Sequence, residues 1–557
     1  MKRFFMAILL ASLIPLGAQE LSLDSLQRKH VELRFGMFIH FNMNTFWPGW
    51  AETRTDPTRF APTKLDCNQW AKAAKAAGMT YAILTTKHHD GFALWPTKQA
   101  APNGLSTYSV AQSSVPNKDI VMEFVTAFRA QGLEPCFYFS MWDVANGVTG
   151  NWVKEKAFVL GQLTELLGGK YGQIPLLVID GWAWSMGHQS IPYQEIRDSV
   201  KKLQPNILIA DHNGLTSPWE EDIVYYEEPK GMYSPTTNKF ASCQGTTISG
   251  DWFWNSDTPD STKLLSLNSI LDHLKKLEPV HTNMLLNCPP NRTGQLDQDI
   301  VNRLVQVGSN WKPDLSRPML SSNMINIEHP IQTKTVFATS GTATNAIDGK
   351  SDCSWSNSDH CNGPIETLWS SNTGLPQAIT IDFGTPQSNV GILGYLPSQA
   401  STNGAVTSYT IATSIDNMNY TDVSAGTWPV SWNYRTVSFS PTTARYIRLT
   451  VTATSDNNGV AGKGTLATAS EIDAGFITNN TNPTKLAPFI NTPKSTAQGS
   501  LIFFQYFGNT SLVSPIDGTL QILRLDGRIS REQPVHLGQN ISLDFPHGMY
   551  LLRWGSW

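Results

Sequence analysis

Charge is scarce in this chain. Only 15% of its 557 residues are Asp, Glu, Lys or Arg, and the formal net charge is -4. That composition offers no basic face, which excludes a nucleic-acid partner. Cysteine is scarcer, with six residues in all. No Cys/His spacing would close a zinc site, and the number is too small for a disulfide framework. Cys67, Cys136, Cys243 and Cys288 are scattered and read as buried thiols, whereas Cys353 and Cys361 share a polar loop that they could staple. Long apolar runs are missing as well, so no membrane span is expected. The short run from Phe4 to Leu16 follows Lys2-Arg3 and precedes Gly17-Ala18-Gln19. These are the three parts of an export signal, so residues 1–19 are set apart and a periplasmic, outer-surface or secreted location is expected.

What the chain has in plenty is aromatic side chains, including 18 Trp. Flat rings fill cores and also stack on sugar faces. From about residue 30 to 310, apolar runs alternate with helical patterns. The strand-like runs are Gly36–Phe41, Thr80–Thr85, Glu134–Ser140, Pro175–Ile179, Asn206–Ala210, Asp222–Tyr226 and Thr282–Asn287. Helical periodicity covers Asn68–Ala77, Asp119–Ala130, Trp152–Leu167, Ile191–Leu203, Lys263–Leu277 and Leu296–Val307. Repeated strand–helix units over such a span predict an irregular (β/α)8-like barrel across residues 20–314. A doubly wound open sheet is the alternative, but no glycine-rich phosphate loop follows the first strand.

After Trp311 helical periodicity stops, and Thr, Ser, Asn and Gly rise. Alternating runs at Gln377–Phe383, Ser408–Ser414, Arg435–Phe439 and Arg445–Val451 predict a β-sandwich of the jelly-roll or discoidin-like kind across residues 315–480. A break at Asn479–Pro493 precedes a small β module across residues 490–557, with strands at Thr519–Leu525, Gln539–Phe545 and Met549–Trp554. The fold class is therefore multidomain, α/β followed by all-β.

The ends of the barrel strands carry the chemistry. The first ends in His40, the second runs into Lys87-His88-His89-Asp90, and the third into Ser140-Met141-Trp142-Asp143. The fourth delivers Asp180-Gly181 and the sixth Glu227-Glu228. Active sites of such barrels lie at the carboxyl ends of the strands, so these groups are expected on one rim. Imidazoles, carboxylates and indoles together suit a hydroxyl-rich ring with apolar patches. Two carboxylates from different strands could hydrolyse a glycosidic bond. Adjacent strand residues face opposite ways, so only one of Glu227 and Glu228 would enter the pocket. The plain alternatives are an Asp-Gly turn at 180–181 and a charged turn before Pro229.

Taken in order, Phe35-Gly36-Met37-Phe38-Ile39-His40-Phe41, Asn44-Thr45-Phe46, Lys87-His88-His89-Asp90-Gly91-Phe92 with Leu94-Trp95-Pro96, Asp180-Gly181 and Asn283 to Gly294 resemble glycoside hydrolase family 29. That family comprises retaining α-L-fucosidases on an irregular barrel. The resemblance implies that His40, His88 and His89 bond to fucose hydroxyls. It further implies that Tyr138 and Trp142 line the pocket, and that Asp180 is the nucleophile. In some members of that family the acid/base lies at the end of the sixth strand, which points to Glu227 or Glu228; in others it precedes a segment like Gly250 to Trp254, and here Ser242 to Ser249 holds no carboxylate. Trp252 and Trp254 could cover the sugar's methyl group or pack as a buried pair beneath a loop. The chain departs from the family in having Val178-Ile179 before Asp180 and Gly49-Trp50, with Glu52 near, by the first strand. The expected partner is a fucosylated oligosaccharide or glycoconjugate, and no cofactor is expected for catalysis. A glycan-binding protein on an inactive barrel, or a glycosidase for another L-sugar such as L-galactose, are the competing readings.

Asn345-Ala346-Ile347-Asp348-Gly349 with Trp355, Ile381-Asp382-Phe383-Gly384, Ala444 to Leu449 and Glu471-Ile472 resemble the discoidin-like (factor 5/8 C-type) carbohydrate-binding sandwich. That resemblance implies a structural calcium held by Asp348 and Glu471 with carbonyls from Lys350 to Ser354. The last module, around Gly518–Leu523 and Pro546–Leu552, resembles C-terminal sorting modules of secreted Bacteroidetes proteins.

Overall fold

A computed structural model describes residues 20–47, 54–149, 151–181, 193–255, 263–321, 327, 330–349, 351 and 367–477, together with the backbone of six stretches between 501 and 556. Residues 1–19, Gly49-Trp50, Glu52, Lys350, Trp355 and both Cys353 and Cys361 lie outside the described residues.

Eight parallel strands close into a barrel. They are β1 (Phe35–Ile39), β2 (Tyr81–Lys87), β3 (Glu134–Ser140), β4 (Leu176–Asp180), β5 (Leu208–Asp211), β6 (Ile223–Glu227), β7 (Ser242–Thr247) and β8 (Thr282–Asn287). Closure is made by β8, which pairs with β1 from Phe35↔Met284 to Phe38↔Asn287, so the open-sheet alternative falls. Side chains alternate as a strand requires. Phe38, Tyr81, Ile83, Tyr138, Val178 and Tyr225 fill the interior. Met37, Leu84, Phe139, Ile179 and Leu286 face the helices. The helix Leu23–Val31, which the sequence reading passed over, adds Leu23, Leu26 and Val31 to the interior cluster.

Strand β7 was not among the expected runs because it is Ser-Cys-Gln-Gly-Thr-Thr, with almost nothing apolar in it. Its inward positions are small for a reason: a side chain at Gly245 would collide with the Tyr225 hydroxyl and the Trp252 ring. Neighbours supply the packing that the strand itself does not.

The sandwich contains β9 (Thr335–Ala338), β10 (Trp369–Ser370), β11 (Gln377–Leu396), β12 (Val406–Ser414), β13 (Thr421–Thr427), β14 (Arg435–Thr454), β15 (Thr468–Ala469) and β16 (Glu471–Phe476). The main sheet runs β13-β12-β14-β11-β16, with β9 against β11, and β10 pairs β15. The expected strands Arg435–Phe439 and Arg445–Val451 are one element, because β14 continues through Pro441 while its register against β11 shifts. Trp369, Tyr395, Ile411 and Leu449 lie in its core.

Barrel and sandwich meet along the segment between β5 and β6. Leu215 and Trp219 pack on Leu396 and Tyr434. The Trp219 indole N–H donates to Asp473 at 3.1 Å, and the Tyr434 backbone N–H donates to the Ser217 hydroxyl at 2.7 Å.

Residues Thr478–Trp557 form a separate compact unit. In it Leu501–Tyr506, Gly548–Ser556, Gly518–Arg524 and Ile529–Val535 make a four-stranded antiparallel sheet, and Thr510–Val513 pairs Asn540–Leu543. No helix among the described residues is long and apolar enough to cross a membrane.

Candidate active site

At the carboxyl end of the barrel lies a cavity of about 290 Å³ lined by Phe38, His40, His88, His89, Trp142 and Asp180, and on its far side by His212, Tyr225, Glu227, Lys230 and Trp252. Ligand sites run from about 300 to 1,000 Å³, so this one has room for a single sugar ring rather than a chain.

Asp180 is the last residue of β4, and 9% of it is exposed. Its Oδ2 accepts the Tyr138 hydroxyl at 2.6 Å, and its Oδ1 accepts the Gly181 N–H at 2.6 Å. His212 Nδ1 is 3.5 Å from Oδ1, and His89 Nε2 is 3.6 Å from Oδ2. Burial alone would raise the acid's pKa. His212, His89, the Tyr138 hydroxyl and the Gly181 N–H outweigh that and hold it below the usual carboxylate range. Asp180 is therefore an anion facing the cavity. Burial, and then Asp180 itself, push the Tyr138 phenol well up, so it remains a donor.

Of the cavity histidines, His40 is an acceptor. Burial lowers His40, to about 3, and also lowers His88 and His89. The Asn287 amide donates to the Trp252 carbonyl at 2.7 Å, which leaves its oxygen to accept from His40 Nδ1 at 2.8 Å. Ser140 donates to the Trp142 carbonyl at 3.0 Å and so accepts from His89 Nδ1 at 2.7 Å. His40 thus carries its proton on Nδ1 and keeps an Nε2 lone pair for a hydroxyl, whereas His89 Nε2 faces Asp180 at 3.6 Å. His88 stacks on Tyr138 at 5.5 Å and meets Phe253 edge-on at 4.9 Å.

Local structure explains why the second strand can deliver two imidazoles. Register against β3 shifts between Thr85 and Lys87, the mark of a bulge. Lys87 is turned outward and wholly buried, bonded to Asp143 at 2.9 Å and to Gln162 at 3.1 Å. His88 and His89 then enter the cavity.

The pair at the end of β6 divides by parity. Glu227 follows Tyr225 on the inner face and lines the cavity, with its Oε2 3.5 Å from His212 Nδ1. Glu228 faces away and bonds to His273 at 3.0 Å and Gln244 at 3.0 Å. Of the two indoles, Trp252 lines the cavity, 4.8 Å from the His40 ring. Trp254 is not among the lining residues and instead donates to Asp297 at 2.7 Å beside Arg292. Tyr138 lies beneath Asp180 rather than in the lining. His212, Lys230 and Phe38 are lining residues that the sequence reading passed over. A signal existed for His212: the apolar run Asn206–Ala210 also breaks into polar residues, Asp211-His212-Asn213.

In the sandwich, Asp348 and Glu471 are in contact. Glu471 is buried and accepts the Gly349 N–H at 3.0 Å. Burial, and then Asp473 and Asp348, push its acid well up. Two acids so placed suit a bound cation.

A parallel barrel whose mouth joins a buried anion, several imidazoles and a second carboxylate around a one-ring cavity is of the carbohydrate-processing class. The chain belongs to the α-L-fucosidase family: that family's model matches residues 17–313, and an F5/8 type C domain model matches residues 330–464. α-L-Fucosidase 1 of Arabidopsis thaliana is 29% identical over 291 residues, covering 47% of this chain and 55% of that protein. Tissue α-L-fucosidase of Rattus norvegicus is 25% identical over 336 residues, 52% of this chain and 69% of that protein. The chain spans about half the length of the first curated relatives it matches. Among solved structures, a Ruminococcus gnavus GH29 fucosidase in complex with fucose is 19% identical with a TM-score of 0.43, over 82% of this chain and 95% of that one. α-L-Fucosidase AlfC from Lactobacillus casei is 21% identical with a TM-score of 0.42, over 51% and 97%.

Proposed function

We propose that the chain is an exo-acting, retaining α-L-fucosidase that releases terminal L-fucose from fucosylated glycans. The observation that carries this is Asp180, an anion held by Tyr138 and Gly181 in a one-ring cavity that Glu227 also lines. Asp180 attacks the anomeric carbon while Glu227 gives its proton to the leaving oxygen. Water, losing a proton to Glu227, then resolves the glycosyl-enzyme. His212 Nδ1 stands 3.5 Å from an oxygen of each carboxylate, so those oxygens are no farther apart than twice that. Glycosidases place the pair about 5–5.5 Å apart for retention and about 6.5–9.5 Å for inversion, so that limit admits the retaining spacing, and the anomer of the first product decides between the two. His40 would accept from a ring hydroxyl through Nε2, with His88 and His89 beside it. Trp142 and Trp252 would cover the apolar edge.

The test is a panel of nitrophenyl and natural fucosides and L-galactosides, with the anomer of the first product read by NMR. Asp180→Ala is expected to lower turnover by at least about 10⁴-fold, as loss of a nucleophile does elsewhere, with an unchanged melting temperature. Binding of fucosides without turnover by the parent chain would instead mean a glycan-binding barrel, and preference for the galactoside would reassign the sugar. Turnover is expected to survive dialysis against EDTA, since the reaction as written uses no metal.

The reading extends to three further features. Calcium held by Asp348 and Glu471 would brace the sandwich, and added calcium is expected to raise the melting temperature in the parent chain but not in Glu471→Gln. Export is expected to remove residues 1–19, which the N-terminus of the protein recovered from the medium would report. The barrel, sandwich and terminal module would divide near residues 314 and 480–490, as limited proteolysis would test.

A further inference from the structure

We propose that His212 is the shared counter-ion of the two carboxylates, its imidazolium pairing with Asp180 before glycosylation and with Glu227 after it. The proposal rests on the reading of Asp180 as nucleophile and Glu227 as acid/base.

Three observations carry it. One nitrogen, Nδ1, is equidistant from the two acids, 3.5 Å from Asp180 Oδ1 and 3.5 Å from Glu227 Oε2. The ring lies flat on Tyr225, with centroids 3.9 Å apart and planes 17° apart. Its Nε2 has no hydrogen-bond partner among the described residues, so the protein holds the ring by its stacked face and through Nδ1. The residue that follows is also tied down: Asn213 accepts the Leu215 N–H at 3.0 Å and donates to Glu221 at 2.7 Å. That segment continues to Ser217 and Trp219, which dock on the sandwich.

The groups facing His212 come from every side. Asp211 precedes it on β5, Asp180 comes from β4, and Tyr225 and Glu227 come from β6. Tyr138 of β3 is edge-on at 6.1 Å. The imidazoles of His40, His88 and His89 oppose its charge from the first two strands. Burial works against protonation of His212, but the acids facing it, Asp180 foremost, more than offset it and leave its pKa above the ordinary value.

The charge balance of the reaction explains why one fixed cation would serve. On the proposed reading Asp180 is the anion before the leaving group departs, and Glu227 is the group that supplies the proton. When the C–O bond to the leaving group breaks, Asp180 becomes a neutral ester and Glu227, having given its proton to that oxygen, becomes the anion. One negative charge has moved between two oxygens that flank the same nitrogen. A preorganised cation at the midpoint stabilises both ends and the passage between them without reorganising.

The test compares His212→Gln, His212→Arg and Asp180→Ala on a nitrophenyl fucoside across pH, with melting temperatures as the fold control. The glutamine variant is expected to lose about 100-fold in kcat/KM, the scale of a lost charge-stabilising donor. Its acid limb should move to higher pH, because Asp180 loses the cation that lowers its pKa most. Arginine is charged at every working pH, so it should recover at least about tenfold of that loss and return the limb toward its original place. If the glutamine variant does not fold, Tyr225→Leu, which removes the stacked face, should move the limb in the same direction. Glutamine activity within about threefold of the parent, or an arginine variant as impaired as glutamine with its fold intact, would overturn the proposal. Asp180→Ala remaining active would instead bring down the hydrolase reading beneath it.

Discussion

Asp180 is charged in a place where burial opposes charge, and each donor that permits this can be removed singly. Tyr138 is the simplest to remove. Phenylalanine keeps the ring against His88 but deletes the hydroxyl 2.6 Å from Oδ2. A hydrogen bond to a charged group contributes about 1.5–3 kcal/mol, so Tyr138→Phe is expected to lower kcat/KM about 10- to 100-fold. The sign for pH follows from the same bond. It lowers the acid's pKa, so without it the acid limb of the pH profile should rise. Gly181 makes a second case. Its φ is +72°, and a Cβ there would stand 2.8 Å from the Trp142 backbone nitrogen. Gly181→Ala is therefore expected to lose stability by at least about 1 kcal/mol, in thermal melts, and to impair turnover by shifting the N–H that Asp180 Oδ1 accepts. At this scale the sequence was informative wherever an apolar run stopped abruptly in polar residues. His40, His88, His89, Trp142 and Asp180 announced themselves so. His212 followed the same rule but stood alone, without a doublet or a following glycine to mark it. Tyr138 was read as a wall of the pocket, because the hydroxyl's reach to Asp180 is a property of neighbouring strands.

Among the elements, β6 shows how strand parity assigns chemistry. The alternation that puts Tyr225 and Glu227 inside sends Glu228 outward, to His273 on the helix Leu267–Leu277 and to Gln244 on β7. This latch holds the end of the strand that presents Glu227. The bond to Glu228 raises His273, with burial opposing. Burial would raise Glu228, but His273 and Gln244 more than offset it and leave it lowered. His273's contribution is full below its ordinary pKa of 6.5 and is lost as pH rises through its raised folded value. Glu228's contribution is present above 4.5 and is lost as pH falls through its lowered value. The stability difference between the parent chain and His273→Gln is thus expected to be largest between those two values and to shrink at neutral to alkaline pH, as denaturant titrations at several pH values would check. The pattern of β6 could be read in advance because its apolar run is continuous. That of β7 could not, since its inward positions are small precursors of space filled by Tyr225 and Trp252.

At the scale of the whole molecule, the change of texture after Trp311 was enough to expect two architectures, but nothing in it located their contact. Trp219 and Asp473 are separated by 254 positions and belong to no shared pattern. The contact is nevertheless substantial. Burial of a large side chain is worth more than its one hydrogen bond, so the two parts of Trp219 can be told apart. Trp219→Phe, which loses the N–H to Asp473 and part of the ring's packing, is expected to destabilise by about 1–3 kcal/mol. Trp219→Ala is expected to cost about 3–5 kcal/mol. Calorimetry would measure both, and a fall in turnover with the second would follow from loosening the segment that begins at His212.

The narrowness of the barrel's mouth has a consequence of its own. On the proposed function, a recess that accepts one ring would read only the tip of a branch, and a residue capped by another sugar would stay hidden until the cap is taken off. Degradation by such a protein would advance by single trimmings, each waiting on whichever activity uncovers the next tip.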